Sequence, residues 1–193
     1  EGSPSESIND WWVEAAPVSA RLNWVASECR ARQFKRVVEL GSVDGGSLFA
    51  LGKYAPEIEW HGVEVHPQAV ANGKALAAKH NILNFNLHHA SSFKAFASRV
   101  SDAEHARFKG HKTDLHRFDA VMVFEVLEHN SPEEGRRIVD AARDCVRPGG
   151  RVFITTPCGN WSLHDDKTQD LELRKDHILA FTVKRMEKFL NSL

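Results

Sequence analysis

Two stretches of this sequence combine residue types and spacings that could do chemistry. Residues 39–46 read Glu-Leu-Gly-Ser-Val-Asp-Gly-Gly, and residues 125–129 read Glu-Val-Leu-Glu-His. The glycines of the first stretch allow a sharp turn and let a ligand approach the backbone closely. The carboxylates and imidazole of the second could attract a cation, hold a metal ion or remove a proton. The first stretch therefore indicates a binding turn, and the second a reactive site.

A further acidic residue strengthens the interpretation of the glycine turn. Glu64 closes a short apolar run about twenty residues after the glycines. In doubly wound α/β folds, a carboxylate at this place accepts hydrogen bonds from the hydroxyls of a bound ribose. Together, the turn and Glu64 predict a nucleoside-type cofactor.

Two other nucleotide sites fit the turn less well. A P-loop needs a lysine followed by serine or threonine after its glycines, whereas Gly46 is followed by Ser47 and Leu48. A dinucleotide site prefers G-x-G-x-x-G, and Val43 stands at the second glycine position. Glu39 is poorly placed beside a pyrophosphate and well placed beside a cation. The pattern favours a cationic nucleoside cofactor.

Apolar periodicity indicates the elements that must position these residues. Apolar and β-branched runs predict strands near residues 36–40, 59–65, 84–88, 118–123 and 151–155. Helical spacing and capping signals predict helices over residues 8–34, 47–54, 67–79, 131–145 and 183–193, with one more inside 91–117. Strands that alternate with helices predict a Rossmann-like α/β sandwich of three layers with a mostly parallel sheet.

The order of four blocks resembles the class I S-adenosylmethionine-dependent methyltransferases. The blocks are Val-Val-Glu-Leu-Gly-Ser-Val-Asp-Gly-Gly, Gly-Val-Glu-Val-His-Pro, Phe-Asp-Ala-Val-Met-Val-Phe-Glu-Val-Leu-Glu-His and Val-Arg-Pro-Gly-Gly-Arg-Val-Phe-Ile, and they lie within residues 36–157. The resemblance implies S-adenosyl-L-methionine as the cofactor. It also implies cofactor contacts from Glu39, Gly41, Ser42, Asp44, Gly45, Glu64, Val65, Ser91, Ser92 and Glu125.

The sequence departs from the family pattern at two places. Val43 replaces a glycine of the cofactor turn. Ser91 and Ser92 fall where the family often has an acidic residue that touches the adenine amino group. These departures keep one alternative open, a catalytically degenerate methyltransferase fold that serves as a binding or scaffolding module.

Residues 125–129 carry a resemblance of their own. Some small-RNA 2′-O-methyltransferases and ubiquinone-pathway O-methyltransferases use a similar Glu-x-x-Glu-His string to bind a divalent metal ion. Other methyltransferases have the same string and need no metal, so a divalent metal ion is an alternative that is not favoured, and its ligands stay open. His129 is the candidate catalytic residue, because imidazole is the commonest proton acceptor in enzymes. A loop histidine that is bonded to backbone is the competing interpretation.

From the resemblance we expect methyl transfer to a hydroxyl, or another nucleophile, of a small or saccharide-like molecule. The net charge of −1, from 25 Lys and Arg against 26 Asp and Glu, argues against a nucleic-acid partner. An RNA 2′-O-methyltransferase nevertheless stays open as a further alternative. No apolar run is long enough to span a bilayer, so no membrane partner is expected. Three separated cysteines without a CxxC pair favour a reducing, cytoplasmic setting.

The predicted elements also define the expected domain organisation. We expect a helical segment at residues 1–34, packed on a methyltransferase domain at residues 35–193. The last two of the family's usual seven strands have no counterpart before Leu193. Residues 151–155 would then form an apolar edge strand, which is prone to pairing with another chain. We therefore expect a longer polypeptide, or a neighbouring domain or chain that covers this edge.

Overall fold

The computed structural model describes residues 19–82, 84–109, 116–157, 179 and 181–192. Its strands are β1 (Arg36–Leu40), β2 (Glu59–Glu64), β3 (Phe85–His89), β4 (Phe118–Phe124) and β5 (Val146–Thr155). Its α-helices are α1 (Ala20–Ala31), α2 (Gly46–Tyr54), α3 (Pro67–Lys79), α4 (Phe93–Phe108), α5 (Pro132–Cys145) and α6 (Val183–Leu190). A single 3₁₀ turn, Leu127–His129, follows β4.

The five strands form one parallel sheet in the order β3-β2-β1-β4-β5. The chain runs outward from β1 to β3 and then returns to place β4 on the other side of β1. The order therefore reverses between β1 and β4. In open α/β sheets, ligands bind in the crevice beyond the carboxyl ends of the strands at such a reversal. The predicted parallel α/β sandwich is confirmed.

The sheet is covered on both faces, which makes the three layers. Helices α1, α2 and α3 bury their apolar side chains with Trp60 and Phe49 on one face. Helices α4 and α5 do so on the other face, around Phe96 and Phe118. Because both faces are buried, the central strands consist of nearly continuous apolar runs rather than alternating ones.

A polar cluster around the buried His61 interrupts the second of these faces. His61 Nδ1 lies 2.9 Å from His88 Nε2, and the two rings are stacked. Glu59 is 3.0 Å from His61 Nε2, and its other oxygen accepts a hydrogen bond from Arg36. Burial lowers the pKa of both His61 and His88 to about 4, so this pair is neutral in the folded protein at neutral pH.

The boundaries of several elements follow their sequence signals closely. Helix α3 begins at Pro67, at a position where the missing N–H is not needed. Helix α5 is capped by Ser131, whose hydroxyl accepts a hydrogen bond from the Glu134 N–H. Of the predicted first helix, the described part is α1, which begins after the Ser19 cap, while residues 1–18 lie outside the described residues.

The largest difference from prediction is at the start of β5. The sequence predicts a strand near residues 151–155, but the strand begins at Val146, which is paired with Phe118. A bulge opposite Phe118 and Ala120 takes up the irregularity, and Gly149 has a φ of +80°. Among the described residues the sheet has five strands, with β5 at one edge. In this part of the chain, no helix is both long and apolar enough to cross a membrane.

Candidate functional site

The turn between β1 and α2 needs its glycines for two separate reasons. Gly41 and Gly45 have φ angles of +82° and +93°, in the left-handed region that favours glycine. A Cβ on Gly41 would also lie 2.7 Å from the Val126 side chain, and one on Gly45 would lie 2.6 Å from the Phe85 ring. The turn therefore packs so closely that side chains at these two positions would not fit.

Glu64, at the end of β2, ties this turn to its own strand. One carboxylate oxygen accepts hydrogen bonds from the N–H groups of Val65 and His66, at 2.7 and 2.9 Å. The other accepts one from the Val43 N–H at 3.0 Å. Three backbone donors hold the buried carboxylate, which retains capacity to accept a further hydrogen bond. The predicted ribose acid and the predicted turn thus lie together.

Glu39 is the penultimate residue of β1, directly before the turn, and is almost fully buried. Burial raises its pKa to about 7, while a hydrogen bond from Ser47 and the charge of Arg21 act in the opposite direction. A carboxylate this poorly solvated is a strong attractor for a ligand cation, because such a cation would replace the solvation that burial removed.

Two more predicted residues of the turn are buried beside it. Ser42 is 5% exposed, and its hydroxyl has no hydrogen-bond partner among the described residues. Asp44 is also buried, and its carbonyl oxygen faces Gly73 of α3 so closely that a Cβ there would be 2.3 Å away. The Ser42 hydroxyl lies against β2, where a Cβ on Gly62 would be 2.5 Å from it, so it packs on the sheet and is not exposed to a ligand.

The two serines after β3 lie at the start of α4. Ser92 is the N-cap of that helix, and its hydroxyl accepts a hydrogen bond from the Ala95 N–H at 3.1 Å. Ser91 precedes it and is exposed. Ser92 also lines a cavity of about 380 Å³ with Lys94 and Arg137 among its walls. The hydroxyl of Ser92 therefore has a structural task, which leaves Ser91 or the backbone for any contact with an adenine.

Glu125 lies where β4 ends, at the opposite side of the crevice from the glycine turn. Its backbone has a φ of +53°, and its N–H donates to the Thr155 carbonyl at 3.0 Å. Its carboxylate accepts hydrogen bonds from the Thr155 hydroxyl at 2.8 Å and from Arg21 at 2.7 Å. Glu125 thus points toward β5 and α1, not toward Glu128.

Glu128 and His129 form the second half of the Glu-x-x-Glu-His string. Glu128 is 1% exposed, and one of its oxygens accepts a hydrogen bond from the Thr156 hydroxyl at 3.0 Å. The other oxygen is buried without a hydrogen-bond partner among the described residues, 4.0 Å from His129 Nε2. His129 itself is exposed at the mouth of the crevice. A buried carboxylate beside an accessible imidazole could support proton removal.

The string does not form a metal site in the part of the chain that the structure describes. There, no three His, Cys, Asp or Glu side chains are grouped as metal ligands would be. Glu125 is turned away to Arg21, and Glu128 is held by Thr156. These two carboxylates, adjacent in the sequence pattern, therefore have separate partners.

Sequence reasoning missed the groups that hold these carboxylates. Arg21 stands in the first turn of α1, and Thr155 and Thr156 stand at and after the end of β5. No motif marks any of the three. For Thr155 and Thr156, the one available signal was their position after a strand of a predicted parallel sheet, at the edge where ligands bind.

Comparison with known proteins gives a consistent result. Residues 38–152, more than half of the chain, match the family described as "Methyltransferase domain". The tRNA (guanine-N(7)-)-methyltransferase of Shewanella piezotolerans is 26% identical over 142 residues, which are 71% of this chain and 55% of that protein. The same-named protein of Shewanella sp. is 25% identical over 169 residues, 83% of this chain and 64% of that protein. The chain therefore spans between 55% and 64% of the length of these two relatives.

Solved structures share the fold. The methyltransferase domain of bacterial CtHen1-C has a TM-score of 0.64 at 19% identity, over 89% of this chain and 80% of that one. Coclaurine N-methyltransferase bound to N-methylheliamine and SAH has a TM-score of 0.51 at 16% identity, over 72% of this chain and 35% of that one. At such identities the likeness concerns the fold alone.

Proposed function

The chain belongs to the family of S-adenosylmethionine-dependent methyltransferase domains, and we propose that it transfers the methyl group to a ribose hydroxyl of RNA. The cofactor and the reaction class follow from the family. The acceptor is the proposal. The observation that carries the RNA part is the similarity to tRNA methyltransferases over 71% of the chain. The observation that favours a hydroxyl is the exposed His129 beside the buried Glu128 carboxylate.

The residues of the crevice fit the cofactor chemically. S-adenosylmethionine supplies an electrophilic methyl group on a sulfonium and carries a ribose, an ammonium and a carboxylate. Glu64 is held rigidly with acceptor capacity left for a ribose hydroxyl. Glu39 is a buried carboxylate suited to a cation. The departure at Val43 leaves the turn intact.

The protein's part in the reaction is alignment and proton removal. Methyl transfer is an in-line displacement, so most of the rate enhancement comes from holding the acceptor in the attacking geometry. A hydroxyl must also lose its proton, whereas a ring nitrogen such as guanine N7 need not. His129 can take that proton, and Glu128 can stabilise the resulting imidazolium from its buried position. In this proposal His129 is the catalytic residue.

A cavity next to the site has Lys94, Arg137 and Glu134 in its walls, and its lysine supports the RNA acceptor. Lys94 is exposed in the first turn of α4 and lines this cavity together with Arg137 and Ser92. Arg137 is held by an ion pair with Glu134 at 2.8 Å. Lysine and arginine beside a catalytic crevice are the groups that contact phosphates, and such contacts position an RNA without reading its sequence. The net charge of −1 for the whole chain therefore does not argue against this local arrangement.

The direct test is to identify the methylated nucleoside. The protein is incubated with labelled S-adenosylmethionine and a mixture of tRNA and other small RNAs. The RNA is then digested, and its nucleosides are separated by chromatography. We expect 2′-O-methylnucleosides from the wild-type protein and a loss of at least about 100-fold in His129→Gln. His105→Gln is the matched control, because His105 is exposed on α4 and lies outside the site. N7-methylguanosine that is unaffected by His129→Gln would contradict the hydroxyl acceptor.

RNA binding can be tested separately from chemistry. Lys94 and Lys109 are both exposed and lie at opposite ends of α4, the first at the crevice edge of the sheet. We expect Lys94→Glu to weaken RNA binding and lower the slope of log affinity against log salt by about one, while Lys109→Glu does neither. Equal effects of the two variants would argue against a defined RNA path. A protein that methylates hydroxylated small molecules but no RNA would select the small-molecule acceptor instead.

We also propose a reducing, cytoplasmic setting for this activity. Cys29 and Cys145 are buried free thiols on opposite faces of the sheet, and among the described residues neither has a disulfide partner. This agrees with reducing conditions.

A further inference from the structure

Arg21 crosses from the helix before the sheet into the cofactor crevice. It stands in the first turn of α1, and its Nη1 lies 2.7 Å from Glu125 Oε1 and 3.4 Å from the Thr155 hydroxyl. Its guanidinium carbon lies 5.1 Å from the centre of the Phe124 ring. The side chain therefore rests against the carboxyl ends of β4 and β5.

The same guanidinium also acts on the opposite wall of the crevice. Its charge lowers the pKa of Glu39 against the larger effect of burial, so Arg21 is within electrostatic reach of both β1 and β4. Arg21 thus acts on two carboxylates of the crevice, Glu39 and Glu125. Such an arrangement complements a ligand that carries both signs of charge.

The ion pair between Arg21 and Glu125 is easy to exchange. The two side chains are 40% and 37% exposed, and pairs that are this accessible to water contribute little to stability. A carboxylate ligand could therefore replace Glu125 at modest cost. Arginine is well suited to this exchange, because its planar fork binds a carboxylate through two parallel hydrogen bonds and can stack on an aromatic ring.

The amino acid group of the cofactor has the chemistry that this arrangement requires. Its ammonium suits Glu39 and Glu125, but its carboxylate would be repelled by both of them unless a cation lay nearby. We propose that Arg21 binds the carboxylate of the cofactor's amino acid group and releases Glu125 as the cofactor enters. The inference rests on the cofactor of the family and does not depend on the RNA acceptor.

Two ligands that differ in the amino acid group test the proposal by calorimetry. S-adenosylhomocysteine has this group, and 5′-methylthioadenosine keeps the adenosine and sulfur without it. We expect Arg21→Met to weaken S-adenosylhomocysteine binding about ten- to a hundredfold and to change 5′-methylthioadenosine binding less than about twofold. Arg21→Lys keeps the charge without the planar fork and should give an intermediate loss for S-adenosylhomocysteine alone.

Arg30 provides a matched control on the same helix. It pairs with Glu57 at 2.6 Å and lies 4.9 Å from the Tyr54 ring centre, with a side-chain exposure of 41%. Arg30→Met therefore removes an equivalent ion pair and ring contact away from the crevice, and both ligands should bind it as they bind the wild type.

Three results would overturn the proposal. Equal losses for both ligands in Arg21→Met would mean that Arg21 only supports Glu125 and the fold. Tighter binding of S-adenosylhomocysteine would mean that the arginine blocks the crevice. Failure of the wild-type protein to bind S-adenosylhomocysteine would remove the cofactor on which the inference rests. A failure to methylate RNA alone would bear on the acceptor and leave Arg21 as assigned.

Discussion

Gly73→Ala should disturb the cofactor turn even though alanine is the better helix former. Gly73 lies in the middle of α3 and is buried. A Cβ there would be 2.3 Å from the Asp44 carbonyl oxygen and 2.4 Å from a Leu87 methyl, where real contacts scarcely fall below 3.0 Å. The Asp44 carbonyl would have to withdraw by at least about 0.7 Å, the difference between 3.0 and 2.3 Å. Because this neighbour is backbone, it cannot simply rotate aside.

Helix propensity and overpacking change the free energy of unfolding of Gly73→Ala in opposite directions. Replacing glycine by alanine inside a helix gains about 1 kcal/mol, and overpacking of a core typically costs about 1–3 kcal/mol. We therefore expect a net loss of up to about 2 kcal/mol in the free energy of unfolding. Asp44 adjoins Val43, whose N–H donates to Glu64 at 3.0 Å. If the cofactor binds only with Glu64 held in this position, the free energy of forming that hydrogen bond again is paid on binding, and S-adenosylhomocysteine affinity should fall by up to roughly tenfold.

Gly135→Ala is the control for this experiment. Gly135 is also helical and buried, but its Cβ would lie 3.4 Å from the Phe189 ring, at the edge of ordinary contact. Urea unfolding should show a gain of up to about 1 kcal/mol, and calorimetry should show unchanged cofactor affinity. If Gly73→Ala were stabilised like Gly135→Ala and bound S-adenosylhomocysteine normally, the turn would not be packed against α3 as described.

Two further predictions concern pH. The folded pKa values of His61 and His88 are lowered to about 4, so their contribution to stability is complete above pH 6.5 and is lost as the pH falls through about 4. For the nearly fully buried His61, this contribution to the free energy of unfolding is at most roughly 3 kcal/mol. The stability of a His61→Gln, His88→Gln double variant should therefore depend less steeply on pH in the acid range than that of the control His105→Gln. Burial raises the pKa of Glu39 to about 7, so S-adenosylhomocysteine affinity should fall by up to about tenfold per pH unit below 7. Glu39→Gln should bind S-adenosylhomocysteine more weakly than the wild type at pH 8, and its affinity should not change with pH in this way. If the affinities of the wild type and of Glu39→Gln changed in parallel with pH, Glu39 would not face the cofactor's ammonium.

Much of the fold could be predicted because its signals are local. Helix α3 occupies the predicted residues 67–79, since Pro67 marks a helix start and the apolar spacing continues to the end. The start of β5 was predicted less well, because Pro-Gly-Gly at residues 148–150 normally indicates a turn. Here pairing with β4 overrides that preference through a bulge opposite Phe118. Tertiary pairing of this kind leaves no local pattern in a single sequence.

In the candidate site too, the residues of a local motif could be predicted, and the contacts between distant parts of the chain could not. The glycine turn and Glu64 form a local motif, and the structure brings them together through hydrogen bonds within one βαβ unit. The partners of Glu125 and Glu128 could not be predicted, because they come from distant parts of the chain. Arg21 is 104 residues from Glu125, and Thr156 is 28 residues from Glu128. Only the fold determines that these side chains meet.

Residues other than glycine with a positive φ fall into two groups, those that end a helix and those that lie at the crevice. In the part of the chain that the structure describes, four residues other than glycine have positive φ: Gln33, Val43, Asn81 and Glu125. Gln33 and Asn81 directly follow the C-caps of α1 and α3, where a left-handed residue is the ordinary way to end a helix. Val43 and Glu125 have no such explanation.

Val43 and Glu125 instead lie on the two walls of the crevice, one after β1 and the other after β4. A β-branched residue at a φ of +51° is a rare outlier, and strain of this kind persists only where the surrounding structure imposes it. Each of the two strained residues takes part in a hydrogen bond with a charged side chain. The Val43 N–H donates to the buried Glu64 carboxylate, and the Glu125 carboxylate accepts from Arg21. Together with the buried Glu39, they place two residues in a strained conformation and a desolvated carboxylate at one edge of the sheet. That concentration is expected where a site is shaped for a charged cofactor rather than for stability.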